Sequence, residues 1–176
     1  GHVEAKEICM IKFQVFEMVQ RVVERCLQLE GGWGFLEENW LTRDPEIKCY
    51  LPGVPRATYM PFPFQIIQSS AATFIAYEYA GAARHIYPKD PGPAQIDSWM
   101  GMSYSAWEGD TFVVHTSGFN DQTWFDRAGN HHSDKLKVTE RYTMTDADHI
   151  NYEATIDDPV TFTQPWKMSM PLYRRV

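Results

Sequence analysis

A chain of 176 residues with 44% hydrophobic and 14% aromatic residues has the size and composition of one soluble globular domain that buries its core without metal or disulfide support. Its net charge of −7 and scattered basic residues argue against nucleic acid or an anionic membrane surface as partner, because either needs a clustered basic face. No apolar run approaches the roughly 18 residues that span a bilayer, and Cys9, Cys26 and Cys49 lie too far apart for a disulfide framework or a paired-cysteine metal site, so they read as packed thiols.

Gly1-His2 resembles an expression-tag remnant, and the residues after it lack the apolar region and cleavage site of a signal peptide, so a removed leader and the native compartment stay open. Residues 4–30 read as one long amphipathic helix. Ile8, Ile11, Val15, Met18, Val22 and Leu29 recur at helical spacing, Glu4 and Glu7 sit in the first turn, and Gly31-Gly32 ends it. A second stripe of Phe16, Val19, Val23 and Cys26 widens the apolar arc, and the seven-residue repeat of Ile8, Val15, Val22 and Leu29 suits self-association through residues 8–29, although Arg25 interrupts it. Packing on the body of the protein is the competing use of that face.

Residues 31–61 form a connecting segment, in which Trp33, Trp40, Pro45, Pro52 and Pro55 stand against any long regular element. From residue 62 the periodicity changes to two. It predicts strands over 64–68, 72–79, 82–87, 99–106, 111–116, 136–145, 149–157 and 166–173, joined at turn signals such as Gly81, Gly109 and Asp146-Ala147-Asp148. The fold class is therefore mainly β: an antiparallel meander over 62–176 closing into a lipocalin-like barrel, with the amino-terminal helix outside it and a β-sandwich as the alternative. The whole, 1–176, is expected to be a single domain.

Alternation assigns faces along these strands. Glu140 shares its side of 136–145 with Leu136, Val138, Tyr142 and Met144, which puts a carboxylate inside the barrel. Such a group is costly unless paired or protonated, and acid–base catalysts are made in environments of that kind. Arg84, on the face of Ala82 and Ile86, is its natural partner, and an ion pair that merely fixes the barrel is the competing reading.

The stretch from Trp107 to His132 carries most of the remaining polar chemistry. His115 lies on the strand, and Asp121, Trp124, Asp126, His131 and His132 lie on the loop after Thr116. A histidine held by a carboxylate is the usual proton-transfer unit near neutral pH, and Asp126 with His132 is the preferred pair. Adjacent His131 and His132 point in opposite directions on extended backbone, so at most one of them reaches a cavity, and both as exposed loop residues is the competing reading. His115, His131, His132 and Asp126 suit zinc or iron chemically, yet their spacing matches no recognised ligand signature, and no metal or other cofactor is expected. Ser103, Ser105 and Ser117 occupy no strand-turn-helix elbow.

At GVPR (53–56), MPFPFQIIQ (60–68), WEGDTFVVHTSGFNDQTWFD (107–126), HSDKLKVTERY (132–142) and INYEATIDDP (150–159), the chain resembles a widespread bacterial family of mostly exported proteins without a characterised function. The resemblance covers roughly residues 44–170 and implies an exported protein. Family members usually carry Asp where this chain has His115, whereas Asp126 and His132 match the pattern. The helix over 4–30 departs from the family's usual amino-terminal region.

Three functions compete. The first is an enzyme performing acid–base chemistry, a cyclisation, isomerisation, dehydration or other lyase step, on a largely apolar small molecule. His132, Asp126, Glu140 and His115 are its catalytic candidates, and Arg84, Tyr77, Trp107, Trp124 and Tyr142 contact the ligand. The second is a non-catalytic carrier or sensor of a hydrophobic ligand in the same pocket. The third is an oligomeric interaction module working through the amino-terminal helix.

Overall fold

A computed structural model describes residues 44–175. The helix predicted over 4–30 and the oligomer contact through residues 8–29 lie outside the described residues, as do Cys9 and Cys26.

Eight strands form one sheet in sequence order: β1 (Phe64–Gln68), β2 (Thr73–Tyr77), β3 (Ala83–Tyr87), β4 (Met102–Glu108), β5 (Thr111–Ser117), β6 (Lys137–Met144), β7 (His149–Asp157) and β8 (Trp166–Tyr173). Each coincides with a stretch of period-two alternation. The sheet curls into a half-barrel.

One connection departs from the expected meander. β3 and β4 run parallel, with Ile86 opposite Ser103 and Tyr87 opposite Tyr104, while every other neighbouring pair is antiparallel. Residues 88–101, with Pro88, Pro91 and Pro93, supply the reason: the segment is too long and too proline-rich for a hairpin, and it has the dozen or so residues a crossover needs. Near its end Ser98 N donates to Gly118 O at 2.9 Å, and Asn120 N donates to Ser98 O at 3.0 Å, so the returning chain is pinned alongside the residues after β5.

Alternation sorts the side chains into an inner, buried face and an outer one. Across β5 to β8 the inner residues form three rows: Phe112, Tyr142, Tyr152 and Met170; Val114, Glu140, Ala154 and Met168; Thr116, Val138, Ile156 and Trp166. Ile75, Tyr77 and Ile86 join them from β2 and β3 in one hydrophobic cluster. Burial of the large apolar side chains among them, at roughly 1.5–3 kcal/mol for each that is fully buried, is what holds the curled sheet.

The segment before β1 is laid against this body by a buried cation. Asp44 caps a 3-10 turn over Pro45–Lys48, and a single helical turn, α1 (Arg56–Tyr59), comes directly after Val54-Pro55. The Arg56 guanidinium grips Asp44 in a fork, Nη1 to Oδ1 at 3.0 Å and Nη2 to Oδ2 at 2.7 Å, and also donates to Glu46 at 2.7 Å and to the Trp124 carbonyl at 3.3 Å. Bidentate geometry of this kind fixes orientation as well as distance. It places Thr58 over the inner face of the sheet.

Candidate functional site

Glu140 and Arg84 meet inside the half-barrel. β6 aims Glu140 inward between Val138 and Tyr142, β3 aims Arg84 inward two residues before Ile86, and Nη2 lies 2.5 Å from Oε2 with both side chains essentially without exposure. The other carboxylate oxygen, Oε1, accepts hydrogen bonds from Tyr152 at 2.8 Å, Tyr142 at 3.0 Å and Thr58 at 3.4 Å. On the cation's side, Nε donates to Ser103 Oγ at 2.8 Å and Nη2 donates to Thr116 Oγ1, while the two hydroxyls are 3.0 Å apart. Tyr77 completes the cluster through Thr58 at 3.1 Å. One carboxylate, one guanidinium and six hydroxyls thus form a connected network on a largely apolar face.

Burial works against the charge of Arg84, but Glu140 outweighs it, with smaller help from Tyr77 and Tyr142, and keeps the guanidinium protonated. Burial raises the pKa of Tyr77, Tyr142 and Tyr152; Glu140 raises it further at Tyr142 and Tyr152, while at Tyr77 the pull of Arg84 downward is outweighed by burial and Glu140, so the three phenols stay neutral donors. The centre is a balanced ion pair wrapped in neutral hydroxyls.

The expected His132–Asp126 unit is not formed. His132 is buried, but its Nδ1 lies 2.9 Å from the Ser133 carbonyl oxygen, so Nδ1 carries the proton and Nε2 accepts from the Thr123 hydroxyl. Asp126 turns back on its own loop, accepting from Ala128 N at 2.9 Å, Asn130 N at 3.3 Å and Asn130 Nδ2 at 2.7 Å. A short Asp side chain at the head of a turn finds such local donors before it reaches a distant ring. The carboxylate nearest in effect to His132 is instead Asp158, which takes Ser133 N at 2.6 Å and Ser133 Oγ at 2.7 Å. Burial pushes Asp158 up, but these donors, with Thr161 and Val160, outweigh it and hold the carboxyl at about 2.

Three other candidates lie away from the centre. His115 is on the outer face, since its neighbour Val114 is the residue opposite Glu140; it pairs with Thr139, 3.2 Å from Nδ1, and its ring lies 5.0 Å from that of Tyr104 at a tilt of 32°. Trp107 belongs to the inner row but stands at its rim, 59% exposed, with its ring 5.1 Å from Phe112. Trp124 contributes its carbonyl to Arg56 and pairs with His131 as an isolated bridge. Cys49, expected to be packed, is exposed, at the left-handed position that closes the 3-10 turn. Tyr77 and Tyr142 do reach the centre.

Four members of the network escaped the sequence reading. Tyr152 carried a usable signal, because alternation in 149–157 sets it with Ile150, Ala154 and Ile156. Ser103 and Thr116 carried a weaker one, as polar residues at inward positions. Thr58, in a connecting segment with no periodicity, carried none.

A separate surface pocket of about 300 Å³, lined by Ser117, Leu136, Lys137 and Asp157 among others, shares no residue with this network. Among the described residues no helix is long and apolar enough to cross a membrane, and no three His, Cys, Asp or Glu side chains gather as a ligand set for a metal ion. Compared with family models, curated proteins and solved structures, the chain matches none.

Proposed function

We propose that this chain binds a largely apolar small molecule against the inner face of its half-barrel. The observation that carries the reading is the contrast on that face. A fully desolvated Arg84–Glu140 pair with three tyrosyl hydroxyls sits at its centre, while Phe64 on β1 and Met168, Met170 and Leu172 on β8 stay only partly buried at its margins. Stability alone does not call for the pair, because well-packed apolar residues of similar volume commonly serve a core as well or better. A few convergent polar groups in apolar surroundings are instead the usual make-up of a small-molecule site, and methionines adapt to varied apolar shapes. In this reading the curled strands cup the ligand as a lipocalin-like barrel does, against the inner face beside β8.

Acid–base turnover of that ligand is the stronger form of the proposal. Glu140 and the tyrosines would have to carry it, since His132, Asp126 and His115 do not gather around them, and binding is therefore the reading adopted. The resemblance to exported bacterial proteins adds a location outside the cytoplasm to the proposal.

The test is a thermal-shift series with long-chain alcohols, amides, carboxylic acids and terpenes against the parent chain, Met168→Asp and Glu140→Gln. A ligand at 100 times its Kd stabilises the folded state by about 2.7 kcal/mol, a shift of several degrees for a domain of this size. The expected result is one responsive chemical class whose shift is lost in Met168→Asp and altered in Glu140→Gln. A parent that responds to none of the classes, or a shift that survives Met168→Asp unchanged, sinks the reading.

A further inference from the structure

The two edges of the sheet are built differently. β8 carries Lys167 and Pro171, features that discourage another strand from adding to an edge. β1 reads Phe64-Gln65-Ile66-Ile67-Gln68, with no charge and no proline, and it pairs only with β2 among the described residues. Ile66 and Ile67, on opposite faces, are 38% and 49% exposed. Phe74, which lies opposite Ile67 on the outer face, is exposed as well.

Backbone bonding shows which groups of β1 have no partner among the described residues. Ser69 N donates to Ala72 O at 3.0 Å and Glu78 N donates to Pro63 O at 3.0 Å, at the two ends of the register that sets Phe64 against Tyr77 and Gln68 against Thr73. Hydrogen-bonded pairs alternate in an antiparallel ladder, so Gln65 and Ile67 bond to β2. Phe64, Ile66 and Gln68 therefore turn their N–H and C=O groups outward.

We infer that β1 is the contact surface for a second copy of this chain, pairing antiparallel with the partner's β1 about a two-fold axis at Ile66. In that register Ile66 faces the partner's Ile66 and Phe64 faces the partner's Gln68, and every outward backbone group of β1 meets a complementary one. Centring the axis on Ile67 leaves the groups of Phe64 unbonded, and centring it on Gln65 leaves those of Gln68 unbonded. Side chains agree with the register: Ile66 packs on the partner's Ile66 within the inner face, and Ile67 lies beside the partner's Gln65 on the outer face. Because such a contact is isologous and β8 is guarded, association closes at a dimer and does not run on into a filament. A five-residue strand pair buries less than a standard interface, so the dimer is weak and concentration-dependent.

Sedimentation velocity on the full chain from about 1 to 100 μM tests this, with dissociation expected in the micromolar range. The mass should rise with concentration from the 20.4 kDa of one chain toward twice that value. Ile66→Pro removes an N–H that β2 does not use, and Ile67→Lys puts a charge on the edge; each should weaken association at least tenfold with an unchanged circular dichroism spectrum. Under oxidation Ile66→Cys should crosslink to its copy, at a Cα separation of about 5.5 Å, faster than Ile67→Cys and above the background of the parent's own cysteines. A parent that stays at one chain mass throughout overturns the inference. So does a dimer that both edge variants leave intact, which would move the contact elsewhere, residues 8–29 included. Should Ile66→Pro fail to fold, Ile67→Lys and the cysteine pair decide the question.

Discussion

Replacing Arg84 by Met keeps most of the side chain's volume but removes the charge that faces Glu140 at 2.5 Å and the donors to Ser103 and Thr116. Glu140 would remain buried with hydroxyl donors and no counter-charge, a situation that costs about 3–5 kcal/mol. Glu140→Leu is expected to cost more. It leaves Arg84 unpaired and also takes the acceptor from Tyr142 and Tyr152, each buried hydroxyl adding about 1–3 kcal/mol if it finds no substitute. The double replacement buries no charge at all, and Ser103 with Thr116 and Thr58 with Tyr77 keep each other as partners. Its cost should therefore fall short of the sum of the single costs by at least about 2 kcal/mol. Urea unfolding of the four proteins, monitored by circular dichroism at constant m-value, measures the cycle. Arg84→Met within about 1 kcal/mol of the parent, or strictly additive costs, would refute the account of the pair as a desolvated, mutually dependent unit.

Three more outcomes rest on particular contacts. Burial lowers the pKa of His132 against the opposing pull of Ser133 and Asp158, so the unfolded chain binds the proton more readily. Stability from this group is complete above the unfolded value of about 6.5 and declines as pH falls below it toward the folded value, a slope that His132→Phe should remove from urea midpoints taken between pH 7.5 and 5. Asp158, held at about 2, gives stability that is present above about pH 4 and lost as pH falls toward the folded value; Asp158→Asn should cost about 2 kcal/mol near neutrality and flatten that acid limb in a thermal melt series. Gly101 sits at φ +66°, and a Cβ there would fall 2.7 Å from Thr116 Cγ2 and 2.8 Å from the Ser117 carbonyl. Gly101→Ala should thus destabilise by about 3 kcal/mol or more in urea, and a neutral result would mean that β4 shifts freely against β5.

Much of the fold was legible because inner and outer residues alternate cleanly. The same pattern that places Val138 and Tyr142 inward places Glu140 between them, and Ile86 does the same for Arg84, so the central pair could be anticipated from spacing alone. Strand direction was not legible at residues 88–101, because periodicity reports faces and says nothing about whether a proline-rich connection turns back or crosses over. The loop chemistry misled for a related reason. Asp126 and His132 are both polar and close in sequence, but a loop backbone offers each a nearer partner: Asn130 and Ala128 for one, Thr123 and Ser133 for the other. His115 lies on the outer face because its neighbour Val114 is the residue opposite Glu140, a register between β5 and β6 that alternation within one strand does not report.

The network and the segment ahead of β1 behave as one structure, and the reason is mechanical. Thr58 reaches Glu140 and Tyr77 only because α1 is held in place, and α1 is held by Arg56, whose fork on Asp44 is itself buried. Burial works against the charge of Arg56, and Asp44 together with nearby phenols outweighs it, so the clamp stays charged. Glu46 extends the chain outward, bonding Arg56 at 2.7 Å and Arg127 on the loop at 3.1 Å. The polar centre of the inner face is therefore connected through two carboxylates and two guanidiniums to a loop on the surface. Thr58 is the link that a change on either side must disturb first, because its bond to Glu140, at 3.4 Å, is the longest in the chain of contacts and the weakest by distance.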